Sequence, residues 1–423
     1  MCKKIINREI NNIISKNKQS KNINDSVKDL THLNTYTIDE SHTIEIDDAI
    51  SIERKSDHYK LWVHIASPTS YIEYQSAIDM KARQLISTLY LSTNTLYMLP
   101  KVLINSIFSL SDKEKRVSIS LGVIFNEDGS IKSSEIVQSL IKVNYQLDYE
   151  EADELIDYAP KEEEDLSIIS TILQKRNCWR RNLGAIEILE PYGKIIVNTN
   201  IPKIKIIEPT ISRQLISEAM ILYGNIISVF TENNKIPVPY RVQQCTNQAI
   251  TNNIKNSEDN VLYNFLLKKT MGKSYYSINP LPHYSLGLIY YLHATSPIRR
   301  YADLIVHYQL NRFLNNKALI SEEEIYKIII DINNLSKQNI MRYREDQKIW
   351  LNKWFEINTL MDYQVTLLNW INRYKDICIL YFIEYKFSSI CKLKSKTHIK
   401  VGDKFNVKNI TQNYNDIIYF QLI

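Results

Sequence analysis

Four carboxylates crowd into ten residues where the chain reads T-I-D-E-S-H-T-I-E-I-D-D-A-I-S-I from Thr37 to Ile52: Asp39, Glu45, Asp47 and Asp48, with Glu40 beside them. Like charges held this close raise one another's pKa unless a cation neutralises them. Hard oxygen donors suit Mg²⁺ or Mn²⁺, which makes the stretch a candidate divalent-metal site. The competing reading is a solvated acidic turn, because polar connections between strands lie at the surface.

A second group of reactive residue types stands roughly 250 residues downstream, where Ala294 to Leu310 reads A-T-S-P-I-R-R-Y-A-D-L-I-V-H-Y-Q-L. Ser296 can cap a helix and Pro297 suits its first turn. Arg299, Asp303 and His307 then fall at i, i+4 and i+8, on one face. Two arginines at a helix N-terminus oppose its dipole unless an anion is present, and free amides beside guanidinium forks form a phosphate site. The alternative is a cluster of surface ion pairs.

Both groups need elements to position them. Tyr36 and Ile38 before the acids, and Ala49, Ile50 and Ile52 after them, alternate as strands do. Tyr59 to Ala66 (Y-K-L-W-V-H-I-A) is a further strand after a Ser56-Asp57 turn, and His64 within it reads as a core residue. Residues 1–30 give a short amphipathic helix and a polar linker, residues 76–99 a helix and then extended chain, and residues 116–146 strands that turn at Asp128-Gly129. The acidic run Tyr149 to Asp165 reads as a solvated helix and loop without chemistry, followed by helices over 166–184 and Ser212 to Thr231.

A helix over about 321–356 leads into five short β runs: Val365 to Leu368, Ile377 to Phe382, Ser389 to Leu393, Lys404 to Ile410 and Ile417 to Leu422. Arg373, Lys375, Lys386, Lys392, Lys394, Lys396, Lys400 and Lys404 interleave there with Trp370, Tyr374, Tyr381, Phe387 and Phe405. That pattern fits a small OB-type barrel for single strands, or a structural barrel with a solvated basic face.

Composition narrows the classes. A chain of 423 residues is long enough for two or three domains. No run of 18 or more apolar residues suggests a membrane span. The five cysteines are scattered without a C-x-x-C pair, which argues for a reducing compartment and against a zinc site. A net charge of +5 is too mild for bulk binding to nucleic acid, so any such affinity must be local. None of the 8 glycines forms a phosphate-cradling motif, which excludes the common nucleotide cofactors. The leaning towards Ile, Asn, Lys and Tyr is what AT-rich codons specify, and the N-terminus has no secretory or transit character.

Together the two reactive groups resemble the ribonuclease II (RNB) family of exoribonucleases. Its catalytic domain carries T-I-D, then D/E-x-D-D-A/G, and later T-S-P-I-R-[RK]-Y-x-D. Further landmarks recur in collinear order: V-H-I-A at Val63 to Ala66, M-L-P at Met98 to Pro100, S-L at Ser109-Leu110, and L-D-Y-E-E-A at Leu147 to Ala152. G-A-I follows at Gly184 to Ile186, E-A-M at Glu218 to Met220, P-Y-R at Pro239 to Arg241, and H-Y-S-L-G-L at His283 to Leu288. The resemblance spans about residues 35–350.

That resemblance implies an α+β fold: an N-terminal helical arm and linker (1–34), an RNB catalytic domain of β-sheet surrounded by helices (35–356), and a small all-β OB-fold barrel that binds RNA (361–423). It implies 3′-to-5′ hydrolysis of single-stranded RNA to nucleoside 5′-monophosphates with Mg²⁺, or Mn²⁺ in its place. Asp39, Glu45, Asp47 and Asp48 match the metal-site acids, Asp47 and Arg299 the catalytic pair, and Tyr90, Tyr149, Arg299 and Arg300 the RNA contacts. The implied protein is a monomer that needs neither membrane nor nucleotide cofactor. It resembles shortened plastid-type members, which places it in the plastid stroma, with a bacterial cytoplasm as the alternative. The rival function is a non-catalytic RNA-binding protein on a decayed nuclease fold; retention of all four acids and Arg299 argues for the enzyme.

The chain departs from the family pattern at several positions. Glu45 replaces a common Asp, Ser67 follows V-H-I-A where Asp is usual, and Ser217 precedes E-A-M where Glu is frequent. Ile188 stands where many members carry an aromatic that sandwiches the terminal base with the residue at the Tyr90 position. The roughly 35 residues before the acidic stretch cannot hold the cold-shock barrels usual there, so RNA affinity is expected to rest on the C-terminal barrel. Removing residues 361–423 should raise the Kd for single-stranded RNA in an anisotropy titration; unchanged binding would take the barrel out of the RNA path.

Overall fold

In a computed structural model, which describes residues 2–19, 27–111, 114–158, 160, 164–245, 260–359, 361–394, 399–411 and 417–423, the acidic stretch joins two inner strands of a seven-stranded mixed sheet. Strands β1 (Lys28–Asp29), β2 (Thr35–Asp39), β3 (Asp48–Arg54) and β4 (Tyr59–Ala66) come first, and β5 (Leu89–Tyr90) and β6 (Thr95–Leu96) form a separate pair. With β7 (Lys115–Phe125), β8 (Ile131–Lys142) and β9 (Tyr145–Asp148), the sheet runs β1-β8-β7-β4-β3-β2-β9.

The period-two alternation of β4 builds two cores at once. Leu61, Val63 and Ile65 face one core, and Trp62 and Ala66 the other. Helices α1 (Cys2–Gln19) and α2 (Ala77–Leu85) cover the Trp62 face, and a helical turn α3 (Lys101–Leu103) continues there into Ile104–Phe108. The opposite face is covered by α4 (Tyr149–Tyr158), α5 (Glu164–Asn182) and α6 (Ile211–Asn233). Among the described residues α6 is the one helix long and apolar enough to cross a membrane; Leu215, Ala219 and Leu222 instead bury it against the sheet.

Further along, β10 (Tyr192–Asn198) and β11 (Ile201–Ile207) form a hairpin, and β12 (Tyr240–Val242) pairs with β13 (Tyr275–Ser277). Helix α7 (Asn260–Thr270) lies between these last two strands in sequence. Helices α8 (Tyr301–Leu314) and α9 (Glu322–Ile357) return to the Trp62 face. Ser321 caps α9, and Glu322, Glu323 and Glu324 complement the dipole of its first turn.

The last five strands close a barrel: β14 (Asp362–Asn372), β15 (Ile377–Phe382), β16 (Phe387–Lys394), β17 (Lys404–Asn409) and β18 (Ile418–Leu422), in the order β14-β15-β16-β18-β17. Val365, Leu380, Phe382 and Phe420 fill it around Phe355, from the last turn of α9. Phe387 and Phe405 pack against this core, whereas Tyr374 is fully exposed. Lys396 lies outside the described residues.

The acidic run from Tyr149 is less solvated than its composition suggests. Residues 159 and 161–163 lie outside the described part. Asp165 is buried, accepting hydrogen bonds from Arg54 Nη2 at 2.8 Å and Asn34 Nδ2 at 3.2 Å. It ties the start of α5 to β3, a contact between distant stretches that composition does not reveal.

His64 is fully buried on β4, with Nε2 2.9 Å from Ser51 Oγ and Nδ1 2.6 Å from Ser120 Oγ. Burial pushes its pKa down to about 3. An unfolded histidine titrates near 6.5, so the unfolded chain takes up the proton first as pH falls. The stability held by neutral His64 is therefore complete above about pH 6.5 and is lost from there towards about 3, at about 1.4 kcal/mol per unit. Urea denaturation should show the gap between wild type and His64→Asn narrowing by about 1.5–2 kcal/mol between about pH 6.5 and 5. A constant gap would show that His64 does not carry this proton.

Candidate functional site

Sheet register assembles the acids. Parallel pairing of β2 with β9 sets Asp39 opposite Asp148, so Asp39 ends its strand beside Tyr149, the first residue of α4. Antiparallel pairing sets Tyr36 opposite Ile50, which returns the chain so that Asp48 opens β3. The intervening loop is locked by backbone contacts. Ser109 Oγ donates to Ile44 O at 2.8 Å and accepts from Ile46 N–H at 3.1 Å. Leu110 N–H donates to Ile46 O at 3.0 Å, and Ala66 N–H to Asp47 O at 2.8 Å.

The four acids divide into two pairs by their partners. Asp47 is buried, its Oδ1 accepting from Ile298 N–H at 2.8 Å and its Oδ2 from Arg299 Nε at 3.2 Å. Glu45, also buried, accepts from Thr88 Oγ1 at 2.8 Å and from the Tyr90 hydroxyl. Asp39 and Asp48 instead line an open cavity of about 280 Å³ with Tyr149, Ser296, Arg299 and Arg300. Burial, reinforced by the Asp48 charge, raises the Asp39 carboxyl to about 8 against the pull of Arg299. Burial raises Asp48 to about 6, opposed by Arg299 and Arg300. It also holds Asp47 well above the carboxylate range despite Arg299 and the Ile298 amide.

The arginine motif folds differently from the sequence expectation. Ser296 does not cap a helix; α8 begins at Tyr301, and Arg299 lies in the preceding turn instead of on a helical face with Asp303 and His307. The amides that would have begun a helix are engaged elsewhere. Ser296 N–H donates to Asp303 Oδ1 at 2.8 Å, Ile298 N–H to Asp47, and Tyr301 N–H to Ile86 O at 2.8 Å. Arg300 is extended, at φ −134° and ψ 124°, bridging to Ser87. The turn wraps the Asp47 carboxylate and leaves the Arg299 side chain 39% exposed at the cavity.

Arg300 borders this cavity and a second one of about 300 Å³, which Thr88, Tyr90, Asn339 and Tyr343 help to line. Its Nη2 donates to Asp303 Oδ1 at 2.6 Å and to Thr295 Oγ1 and Ser296 Oγ at 3.2 Å each. Tyr90 has an exposed ring and a hydroxyl on Glu45. The Arg213 guanidinium lies 3.9 Å from the centre of the Tyr149 ring, and Glu40 holds that arginine at 2.8 Å. The structure thus brings together every site residue read from the sequence. It adds Thr88, Ser109 and Arg213, of which only Ser109 stood in a motif.

Among the described residues no three carboxylate, histidine or cysteine side chains converge closely enough to hold an ion by protein ligands alone. Mg²⁺ habitually takes one or two carboxylates and fills its remaining positions with water and phosphate oxygen. Asp39 and Asp48, which face the cavity, fit that demand, with the Asp48 charge raising the cost of ionising Asp39.

The RNB domain family matches residues 27–316. Among curated relatives, an uncharacterised ribonuclease of Synechocystis sp. is 34% identical over 346 residues, covering 81% of this chain and 52% of that one. The chloroplastic/mitochondrial ribonuclease II of Arabidopsis thaliana is 33% identical over 318 residues, 73% of this chain and 40% of that one. The chain thus spans about half the length, or less, of these relatives. Among solved structures, Mycoplasma genitalium RNase R in complex with ribose-methylated single-stranded RNA superposes with a TM-score of 0.86 at 22% identity, covering 96% of this chain and 74% of that one. This last likeness establishes the fold.

Asp303 is fully buried and accepts from both Arg300 and the Ser296 amide. Asp303→Ala leaves a largely buried guanidinium unpaired, which should cost about 3–5 kcal/mol in chemical denaturation. Asp303→Asn retains an acceptor and should cost less. Equal losses would mean that charge pairing is not what holds this turn.

Proposed function

The chain belongs to the RNB domain family, and from that premise we propose that it is a 3′-to-5′ exoribonuclease that hydrolyses single-stranded RNA to nucleoside 5′-monophosphates. One observation carries the reading: Asp47 holds Arg299 at 3.2 Å on the rim of the cavity that Asp39 and Asp48 line. Carboxylates that favour a cation and a guanidinium that favours an anion thus share one cleft, as a phosphodiester with a divalent metal requires.

Asp39 and Asp48 would hold Mg²⁺, or Mn²⁺, with Glu45 and Asp47 behind them in the same loop. The ion, when bound, supplies an activated water and neutralises charge developing on the phosphate. Arg299 donates its outer N–H groups to phosphate oxygens, in charge-assisted hydrogen bonds that strengthen as charge develops. Asp47 fixes the angle of that guanidinium through its Nε. Glu45 fixes the Tyr90 hydroxyl, leaving the ring free to stack on a base. Tyr149 and Arg300 line the path that the strand takes into the cleft.

The C-terminal barrel is proposed as a further RNA-binding element, on a chain that acts as a monomer. The plastid stroma is its proposed location, supported by the name of the Arabidopsis thaliana relative and by the AT-biased composition.

Purified chain, Mg²⁺, and single-stranded RNA labelled at either end test the reading. The 3′ label should leave as mononucleotide from the first minutes while the 5′ label shortens progressively, and EDTA should stop both. Asp47→Asn and Arg299→Ala should each lower the rate by about 100- to 1,000-fold. Variants as active as wild type would remove this loop from catalysis. A wild-type chain that binds RNA without shortening it would support the non-catalytic reading instead.

A further inference from the structure

The β10–β11 hairpin takes no part in the site described above, yet its two faces differ sharply. On one face Gly193, Ile195 and Val197 pair across the strands with Ile206, Ile204 and Pro202. This face docks on the barrel: Gly193 N–H donates to Lys386 O at 2.8 Å, and Ile204 packs against the barrel core. A Cβ at Gly193 would lie 2.2 Å from Tyr385 O, so the approach requires glycine.

The other face presents Tyr192, Lys194, Lys203 and Lys205, all exposed. Lys194 stands directly opposite Lys205. Like charges so placed destabilise a strand pair, and among the described residues none of the three lysines has an ion pair to relieve it.

This face lies near the Glu40–Arg213 pair beside the cleft, because β11 ends at Ile207 and the chain then enters α6 at Ile211, whose first turn carries Arg213. Burial would push the Glu40 carboxyl up, but the Arg213 hydrogen bond and charge, with the charges of Lys205 and Lys194, hold it below its ordinary value. The lysines therefore lie within electrostatic reach of Glu40 and Arg213, and Arg213 stacks on Tyr149 at the cavity of Asp39 and Asp48. At the hairpin's base Tyr192 lies within electrostatic reach of Tyr343, which lines the second cavity with Tyr90. A basic face with an aromatic end thus lies within electrostatic reach of residues beside both cavities, a combination that suits a single-stranded backbone.

We propose that the β10–β11 hairpin is a guide for the RNA backbone, Lys194, Lys205 and Lys203 receiving the phosphates immediately upstream of those in the cleft. The proposal rests on the reading of the chain as a protein of single-stranded RNA. The barrel fixes the hairpin from behind, so the strands that carry the lysines are already in place when RNA arrives.

The test is fluorescence anisotropy of a 5′-labelled single-stranded RNA of about 20 nucleotides, titrated with full-length chain in metal-free buffer across a range of salt. Each phosphate contact on a single strand contributes about 0.7 to the slope of log Kd against log salt. Lys194→Ala/Lys205→Ala should raise the Kd about tenfold and flatten that slope by about 1.4. The charge-matched control Lys132→Ala/Lys235→Ala should leave the slope in place. An unchanged slope in the hairpin variant, or an equal loss in the control, overturns the guide. Because nothing is cleaved without metal, the hairpin is judged even if the chain proves not to be a nuclease. A wild-type chain that binds no RNA would sink both readings.

Discussion

One buried carboxylate joins stretches 251 residues apart: Asp47, with an oxygen on the Ile298 amide and the other on Arg299. Everything around the cleft takes its position from that contact. Because the Ile298 amide is committed to Asp47, the T-S-P-I-R-R stretch stays a turn and α8 starts only at Tyr301. Because it stays a turn, Arg299 O can accept from Thr88 N–H at 3.0 Å, and Tyr301 N–H can donate to Ile86 O. Those two bonds set the chain that presents Thr88 and Tyr90 to Glu45. The acidic loop and the arginine turn therefore template each other.

The same arrangement is costly in the absence of a ligand. Asp39, Asp47 and Asp48 all carry raised pKa values because burial withholds water from them, and Arg299 and Arg300 only partly compensate. A loop selected for stability alone would replace such a group with apolar residues, at no loss or at a gain. On the function proposed above, that cost is offset when the site binds something positive. A cation would stabilise these carboxyls in their ionised form, and an anion would satisfy the half-exposed Arg299. A metal-bound phosphodiester satisfies both at once.

Much of this was legible in the chain because it depends on local period and on residue type. The β-formers of Tyr59 to Ala66 after a polar turn specified a strand, and the barrel strands could be read in the same way. The short motifs between the two reactive groups prove to be the loop's supports. Ala66 of V-H-I-A and Ser109-Leu110 clamp its backbone, and Met98 of M-L-P donates its amide to Thr88 at 3.0 Å. Glu218 of E-A-M forms a buried pair with Arg180 at 2.7 Å, joining α5 to α6 behind the cleft. What could not be read were partnerships fixed only by the tertiary fold: Asp303 taking the Ser296 amide, Asp165 taking Arg54, Arg213 lying on Tyr149. The β10–β11 hairpin escaped notice for a different reason. Its turn residues Thr199 and Asn200 adopt positive φ without the glycine that ordinarily marks such a turn.

The placement of the barrel follows from a single helix. At 36 residues α9 is about 54 Å long, and it is tied to the surroundings of the seven-stranded sheet at successive heights. Glu324 and Asp331 hold Arg83, Asn339 donates to Leu85 O and Ser87 Oγ, and Asp346 accepts from the Ser92 amide and hydroxyl. Only then does the helix enter the barrel, with Phe355 at its centre. The last two attachments, at Ser87 and Ser92, flank Thr88 and Tyr90, so the helix that carries the barrel also braces the Tyr90 side of the cleft. The hairpin, docked through Gly193, provides a second and independent connection between barrel and cleft. Two such connections attach the barrel to the rest of the fold at separate points. On the reading proposed above, a strand bound across the barrel would approach the cleft from a side set by both attachments, towards the arginine that Asp47 holds.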